Sequence, residues 1–156
     1  MSPLLKTGEK APEFSLASDG NHQIDLKSYL GKNVVLYFYP KDDTSGCTQE
    51  ALDFNALRHE FDKSETVILG VSPDPVKKHD KFKAKYELDF PLLSDEDKSM
   101  LSLYGVWVEK SMYGRKYMGV ERTTFLIGAD GTIKAIWPKV KVDGHAAEVL
   151  KAAQGA

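Results

Sequence analysis

The sequence holds one cysteine among 156 residues, which excludes an internal disulfide and leaves any thiol chemistry to a free sulfur in a reducing compartment. It has no apolar stretch near the ~20 residues that a bilayer-spanning helix needs. Its first ten residues lack the apolar core of roughly 7 to 15 residues found in secretory leaders. A cytoplasmic protein with no membrane partner is therefore expected. An excess of charge of one sign is also missing. With 21 basic and 23 acidic residues, the chain has no electrostatic footprint for nucleic acid. His22, His59, His79 and His145 are scattered, with no His-x-x-x-His pair, so no metal is expected and each histidine reads as structural or surface. No Gly-rich phosphate loop or Gly-x-Ser-x-Gly elbow occurs, and no cofactor is expected. Repeats, low-complexity tracts and linkers are absent too, so residues 1–156 read as one domain. That length suffices to bury roughly 68 to 70% of the unfolded chain's surface without covalent staples.

What the chain does contain alternates between strand and helix signals. Residues 13–16 and 22–26 read as extended around an Asp19-Gly20-Asn21 turn, an N-terminal β-hairpin. Asn33 to Tyr39 is a continuous apolar, β-branched and aromatic run ending at Pro40, as a central strand buried on both faces requires. Ala51, Phe54, Leu57 and Phe61 recur at helical spacing and predict one amphipathic helix over about 48–62. Thr66 to Ser72 reads as a second buried strand. Asp74-Pro75 then predicts an N-cap followed by proline at the first position of a charged helix ending near Tyr86. Ser94 to Asp97 resembles a capping sequence for a short helix through Leu103. Arg122 to Ile127, the Ala129-Asp130-Gly131 turn and Thr132 to Trp137 give a hairpin signal, followed by a helix over about 144–153. The pattern predicts an α/β thioredoxin-like fold, a central mixed sheet with helices on both faces.

Cys47 lies just after the central strand, at the head of the first long helix. A thiolate, not a thiol, is nucleophilic, and the free N–H groups and partial positive charge of a helix N-terminus favour it. The bland alternative is an inert core cysteine. Against it stands the pattern Pro40-x-x-x-Thr44-x-x-Cys47 with Glu50 three residues on. Pro40 ends the strand and shields one side of the loop. Thr44 lies one helical turn before Cys47, where its hydroxyl can point at the sulfur. Asp42 and Asp43 would disfavour a nearby thiolate, so their side chains are expected to face solvent or cap the helix. Trp107, Met112, Tyr113, Tyr117 and Met118 read either as core and loop cover or as the lining of an apolar access pocket.

The ordered set Gly8-Glu-Lys-Ala-Pro-Glu-Phe14, Tyr37-Phe-Tyr-Pro-Lys-Asp42, the cysteine motif, Phe90-Pro-Leu-Leu-Ser-Asp95, Gly105-Val-Trp107 and Glu121-Arg-Thr-Thr-Phe-Leu126 resembles the peroxiredoxins, in particular the bacterioferritin comigratory protein or Q-type branch. The resemblance implies a thiol peroxidase acting on hydrogen peroxide and organic hydroperoxides, with Cys47 passing through a sulfenic acid. It also implies that Arg122, by itself an ordinary strand-edge arginine, bonds the peroxide and the sulfur. Glu50, by itself a first-turn carboxylate, would orient that arginine. Many such relatives carry a second cysteine five residues after the first or in the following helix. This chain has Leu52 and Lys83 there, which implies a one-cysteine cycle closed by an external thiol from thioredoxin, glutaredoxin or glutathione. Ser45, where relatives often carry proline, is another departure. The resemblance further implies a monomer. A redox sensor or holdase that keeps Cys47 without fast turnover is the competing function. A disulfide reductase is disfavoured because its Cys-x-x-Cys is replaced by Thr44-Ser45-Gly46-Cys47.

Simple arithmetic limits what thiol activation can supply. Lowering a thiol's pKa from about 8.5 to about 6 raises its thiolate fraction at pH 7 from about 3% to about 90%. With a Brønsted slope of ~0.4, about tenfold is lost again in nucleophilicity, leaving a net gain of ~3-fold. A peroxidase needs far more, so Thr44, Arg122 and the loop N–H groups are expected to hold the two peroxide oxygens as the O–O bond stretches.

Overall fold

A computed structural model describes residues 5–156, so the part of the leader argument that rests on residues 1–4 lies outside the described residues. The N-terminal hairpin pairs β1 (Ser15–Ser18) with β2 (His22–Asp25) in antiparallel register. Gly20 and Asn21 between them take left-handed φ values of 70° and 59°, a conformation that glycine and asparagine adopt with least strain. The central strand is β3 (Asn33–Phe38). Its alternation decides the architecture, because Val34, Leu36 and Phe38 enter one core and Val35, Tyr37 and Tyr39 the other.

The expected single helix over 48–62 is two helices, α1 (Ser45–Ala56) and α2 (Arg58–Lys63). The chain breaks at Leu57, with φ −98° and ψ 4°. Phe54 and Phe61 both face the sheet with ring centroids 5.9 Å apart, and Arg58 donates to the Asn55 carbonyl at 2.8 Å, next to the break. β4 (Thr66–Ser72) has the predicted bounds. The next helix, α3 (Val76–Tyr86), starts one residue later than expected, with Pro75 in extended conformation as its cap. Asp74 does not cap it. Its Oδ2 accepts instead from the Asp42 N–H at 2.7 Å and the Ser72 hydroxyl at 2.8 Å.

Ser94 ends a short strand, β5 (Leu92–Ser94), that the sequence reading did not assign. α4 (Ser99–Leu103) follows; Asp97 accepts from the Ser99 N–H at 3.0 Å and Asp95 from the Leu101 N–H at 2.7 Å, so the two aspartates share the free N–H groups of its first turn. β6 (Trp107–Met112) and β7 (Arg115–Val120) form a separate antiparallel hairpin, also unassigned from sequence. It turns on Tyr113 and Gly114, with φ of 52° and 78°. Met112, Tyr117 and Met118 are exposed and Tyr113 is 99% exposed. These four residues do not cover the core, whereas Trp107, at the base of the hairpin, packs against it. β8 (Thr123–Ile127) and β9 (Ile133–Trp137) make the predicted hairpin, and α5 (His145–Gln154) ends the fold.

The main sheet runs β2-β1-β5-β4-β3-β8-β9, parallel between β5, β4 and β3 and antiparallel elsewhere. α1, α2, α3 and α5 supply Phe54, Phe61, Phe82 and Val149 to one core. On the opposite face, α4 supplies Met100 and Leu101 beside Phe14 and Tyr104. Helices on both faces of a mixed sheet, as the alternation predicted, place the start of α1 at the carboxyl end of the central strand. No helix among the described residues is long and apolar enough to cross a membrane.

Candidate active site

β3 pairs through Tyr39, whose N–H donates to the Val71 carbonyl at 3.0 Å. Pro40 has no N–H to continue the ladder, and the chain leaves the sheet there. The loop to α1 bends at Asp43, a non-glycine residue with φ of 60°. Thr44 caps α1 in extended conformation, and the first intrahelical bond runs from the Thr48 N–H to the Thr44 carbonyl at 2.8 Å. The N–H groups of residues 45–47 precede that bond and have no intrahelical acceptor. Cys47, the third residue of α1, is 2% exposed, so its sulfur lies under the surface at the positive end of the helix.

Arg122 arrives from the residue before β8, in register with the end of β3. Its Nη2 donates to Cys47 Sγ at 3.2 Å and its Nη1 to Glu50 Oε1 at 2.6 Å. Residues 72 and 75 positions apart along the chain thus form one line from carboxyl to guanidinium to sulfur. Gly46 makes room for it: a Cβ there would stand 3.3 Å from Nη2. That requirement escaped the sequence reading, although a glycine beside a helical cysteine was its visible sign.

Glu50 is 1% exposed. Burial pushes its carboxyl up to about 7, against the opposing charge and hydrogen bond of Arg122. Its Oε2 and the nearby Tyr37 hydroxyl are buried without hydrogen-bond partners among the described residues. Burial costs the Arg122 cation as well, but Glu50 and Cys47 outweigh that cost and hold its pKa above the ordinary value. Near neutral pH the guanidinium is charged, while the carboxyl beside it is divided between its two forms.

Two expectations about the loop fail. The Thr44 hydroxyl donates to the Lys41 carbonyl at 2.9 Å instead of reaching the sulfur, because the loop turns back on itself before α1. Its lone pairs remain available as acceptors. Asp42 neither faces solvent nor caps the helix. It is buried, and accepts from the Tyr39 hydroxyl at 2.5 Å and from His79 Nδ1 at 2.6 Å. Asp43 is exposed and accepts from Lys85 and the Tyr86 hydroxyl, both at 2.8 Å. Leu52 lies at the surface of α1, and Lys83 pairs with Asp19 at 2.8 Å, so neither position offers a second thiol. Asp42, Asp74 and His79 also present oxygen and nitrogen atoms within 4.8 Å of one another, a cluster that scattered sequence positions concealed.

Residues 7–136 match the AhpC/TSA family. A putative peroxiredoxin Bcp of Coxiella burnetii is 53% identical over 146 residues, covering 94% of this chain and 97% of that protein. Peroxiredoxin Bcp of Bacillus subtilis is 46% identical, with 94% of each chain covered. A structure of the Xanthomonas campestris bacterioferritin comigratory protein, described for its alkyl peroxide reduction activity, superposes with a TM-score of 0.88 at 48% identity, over 91% of this chain and 90% of that one. A cysteine-to-serine variant of Xylella fastidiosa PrxQ superposes at 0.93 with 40% identity, over 99% and 98%. The matched span contains the strand end, the cysteine helix and Arg122 together, and the chain belongs to the AhpC/TSA family, among its peroxiredoxins.

Proposed function

We propose that the chain reduces hydrogen peroxide and organic hydroperoxides by a one-cysteine cycle, with Cys47, Thr44, Arg122 and Pro40 as the reaction site and Glu50 in support. The Cys47 thiolate attacks the terminal hydroxyl oxygen of the hydroperoxide. An S–O bond forms, the O–O bond breaks, and the departing alkoxide or hydroxide takes a proton to leave as alcohol or water. The product is a sulfenic acid. An external thiol then displaces water from it to give a mixed disulfide, and a second thiol releases Cys47.

The single observation that carries this reading is the contact of Arg122 with both the buried sulfur and Glu50. A guanidinium has donors enough to keep one on the sulfur and turn another to the peroxide as negative charge grows on the leaving oxygen. Thr44, whose proton is already on Lys41, supplies lone pairs for the hydroperoxide O–H. The free N–H groups of residues 45–47 complete the donors. Pro40 closes one side of the loop. The reductant is thioredoxin, glutaredoxin or glutathione, and the enzyme works as a cytoplasmic monomer.

Stopped-flow mixing of the reduced protein with hydrogen peroxide and with cumene hydroperoxide tests the first half-reaction. A second-order rate constant orders of magnitude above that of free cysteine is expected; one equal to free cysteine would remove the peroxidase reading. Steady-state turnover with each of the three reductants in turn identifies the second half, and sedimentation velocity reads the assembly state.

A further inference from the structure

His79 is fully buried, and both its ring nitrogens face acceptors. Nδ1 lies 2.6 Å from Asp42 Oδ2 and Nε2 2.9 Å from the Leu93 carbonyl in β5. A neutral imidazole has one N–H, whereas two acceptors call for two, the imidazolium form. Asp42 is held from three directions. His79 and the Tyr39 hydroxyl occupy its two carboxylate oxygens, and its own N–H donates to Asp74 Oδ2. Asp74 also accepts from Ser72 and pairs with Lys78 at 3.8 Å. Each carboxylate therefore has protein donors, so the close approach of Asp42, Asp74 and His79 is completed by protons and needs no cation. Asp42 stands two residues before Thr44 and five before Cys47, and the Thr44 hydroxyl bonds the carbonyl of Lys41, next to Asp42.

We propose that His79 is a positioning residue for the peroxidase reaction: as an imidazolium on α3 it grips Asp42 and so fixes the loop that presents Thr44 and the start of α1. Nothing in the reacting centre touches His79; it acts through Asp42. This inference rests on the peroxidase reading for its rate effect but not for its structural content. The groups facing the ring are Asp42 from the loop, Asp74 before α3, Lys78 on the same helix beyond Asp74, the Tyr39 ring, and the Leu93 carbonyl. Burial pulls the ring's pKa down, but the hydrogen bond and charge of Asp42 outweigh that and hold it above the usual histidine value. A folded-state pKa raised in this way gives stabilisation that is complete below the ordinary histidine range and is lost as pH rises through the folded value. The loop should therefore loosen on the alkaline side.

The test compares His79→Leu and His79→Asn with the parent chain. The asparagine amide nitrogen takes the place of Nδ1 and donates to Asp42 at every pH. Peroxide rates measured from pH 6 to 10 should show an alkaline decline in the parent. His79→Leu should be slower by about tenfold at pH 7, as expected for a displaced site loop. His79→Asn should keep a rate within about threefold of the parent and lose the decline. An alkaline decline that persists in His79→Asn, or a parent-like rate in His79→Leu, overturns the proposal. Two readouts are independent of peroxidase activity and of whether the leucine variant folds. The ¹⁵N shifts of His79 in the parent chain should report a doubly protonated ring at pH 7, and amide exchange at Asp42 should accelerate as that ring titrates. A neutral ring at pH 7, or exchange at Asp42 indifferent to the titration, overturns it equally.

Discussion

Glu50 and Asp42 are both buried carboxylates within eight residues of chain, each beside a cation, and they are finished differently. Asp42 has a donor on each oxygen, from Tyr39 and His79. Glu50 has Arg122 on Oε1 and, among the described residues, nothing on Oε2 or on the nearby Tyr37 hydroxyl. A buried polar group left unpaired carries an uncompensated desolvation cost, which a fully bonded one avoids. The anchor is thus complete as folded, whereas the reaction site retains unmet hydrogen-bonding capacity and a guanidinium that can still turn a donor to a ligand. The lesson is that burial and an ion pair do not by themselves distinguish a brace from a reaction site; the unfilled valences do.

Arg122→Met carries the largest expected effect. It should lower the second-order rate with hydrogen peroxide by about 10²–10³-fold, as removal of a transition-state donor does. The rate at which iodoacetamide alkylates Cys47 should fall far less. Peroxide and alkylation rates falling in proportion would show that Arg122 acts only on the sulfur.

Glu50→Gln sharpens the difference next. A carboxyl raised to about 7 in the fold, from an ordinary value of 4.5, keeps its proton over a window where the unfolded chain has lost it. Stability should therefore fall as pH rises from about 4.5 to about 7, by on the order of 3 kcal/mol. Urea unfolding across that window should show the slope in the parent and lose it in Glu50→Gln. Equal slopes would mean that Glu50 is not the titrating group.

Tyr37→Phe removes a buried hydroxyl that has no partner among the described residues. It should be neutral or stabilising by up to about 1 kcal/mol, read as the urea midpoint. A loss above that would reveal an undetected bond and bring the two regions closer in kind. The smallest effect belongs to Asp43, which is exposed and paired with Lys85 and Tyr86. Asp43→Asn should shift thermal stability slightly at low ionic strength and not at all in high salt, because exposed pairs are screened. A salt-independent loss would place Asp43 with the buried anchor.

How far the sequence discloses the molecule depends on the range of the interactions. β4 and the β8–β9 hairpin are legible because a run of β-branched residues or an Asp-Gly turn is a local signal. β5 escapes because three residues give no periodicity. The β6–β7 hairpin escapes because its Tyr-Gly turn lacks the usual asparagine or aspartate and the apolar side chains near the turn, Met112, Tyr117 and Met118, are exposed. In the site, Cys47 and Thr44 are visible as a motif, but the direction of the Thr44 hydroxyl is set by the turn back to Lys41. Asp42 could not be placed from sequence, since two of its three partners, Asp74 and His79, lie 32 and 37 residues away.

From the order of residues alone it follows that a lone sulfur sits after a central strand at the head of a helix, that no second thiol of this chain can resolve its oxidised form, and that the fold alternates strands and helices. These are statements about composition, order and local periodicity. That Arg122 spans the sulfur and Glu50, that Glu50 has one oxygen without a partner among the described residues, and that Asp42 is bound to His79 are facts of tertiary contact. Each of those depends on sheet register and helix packing bringing distant residues within hydrogen-bond reach, and on a burial that raises or satisfies a charge according to what surrounds it.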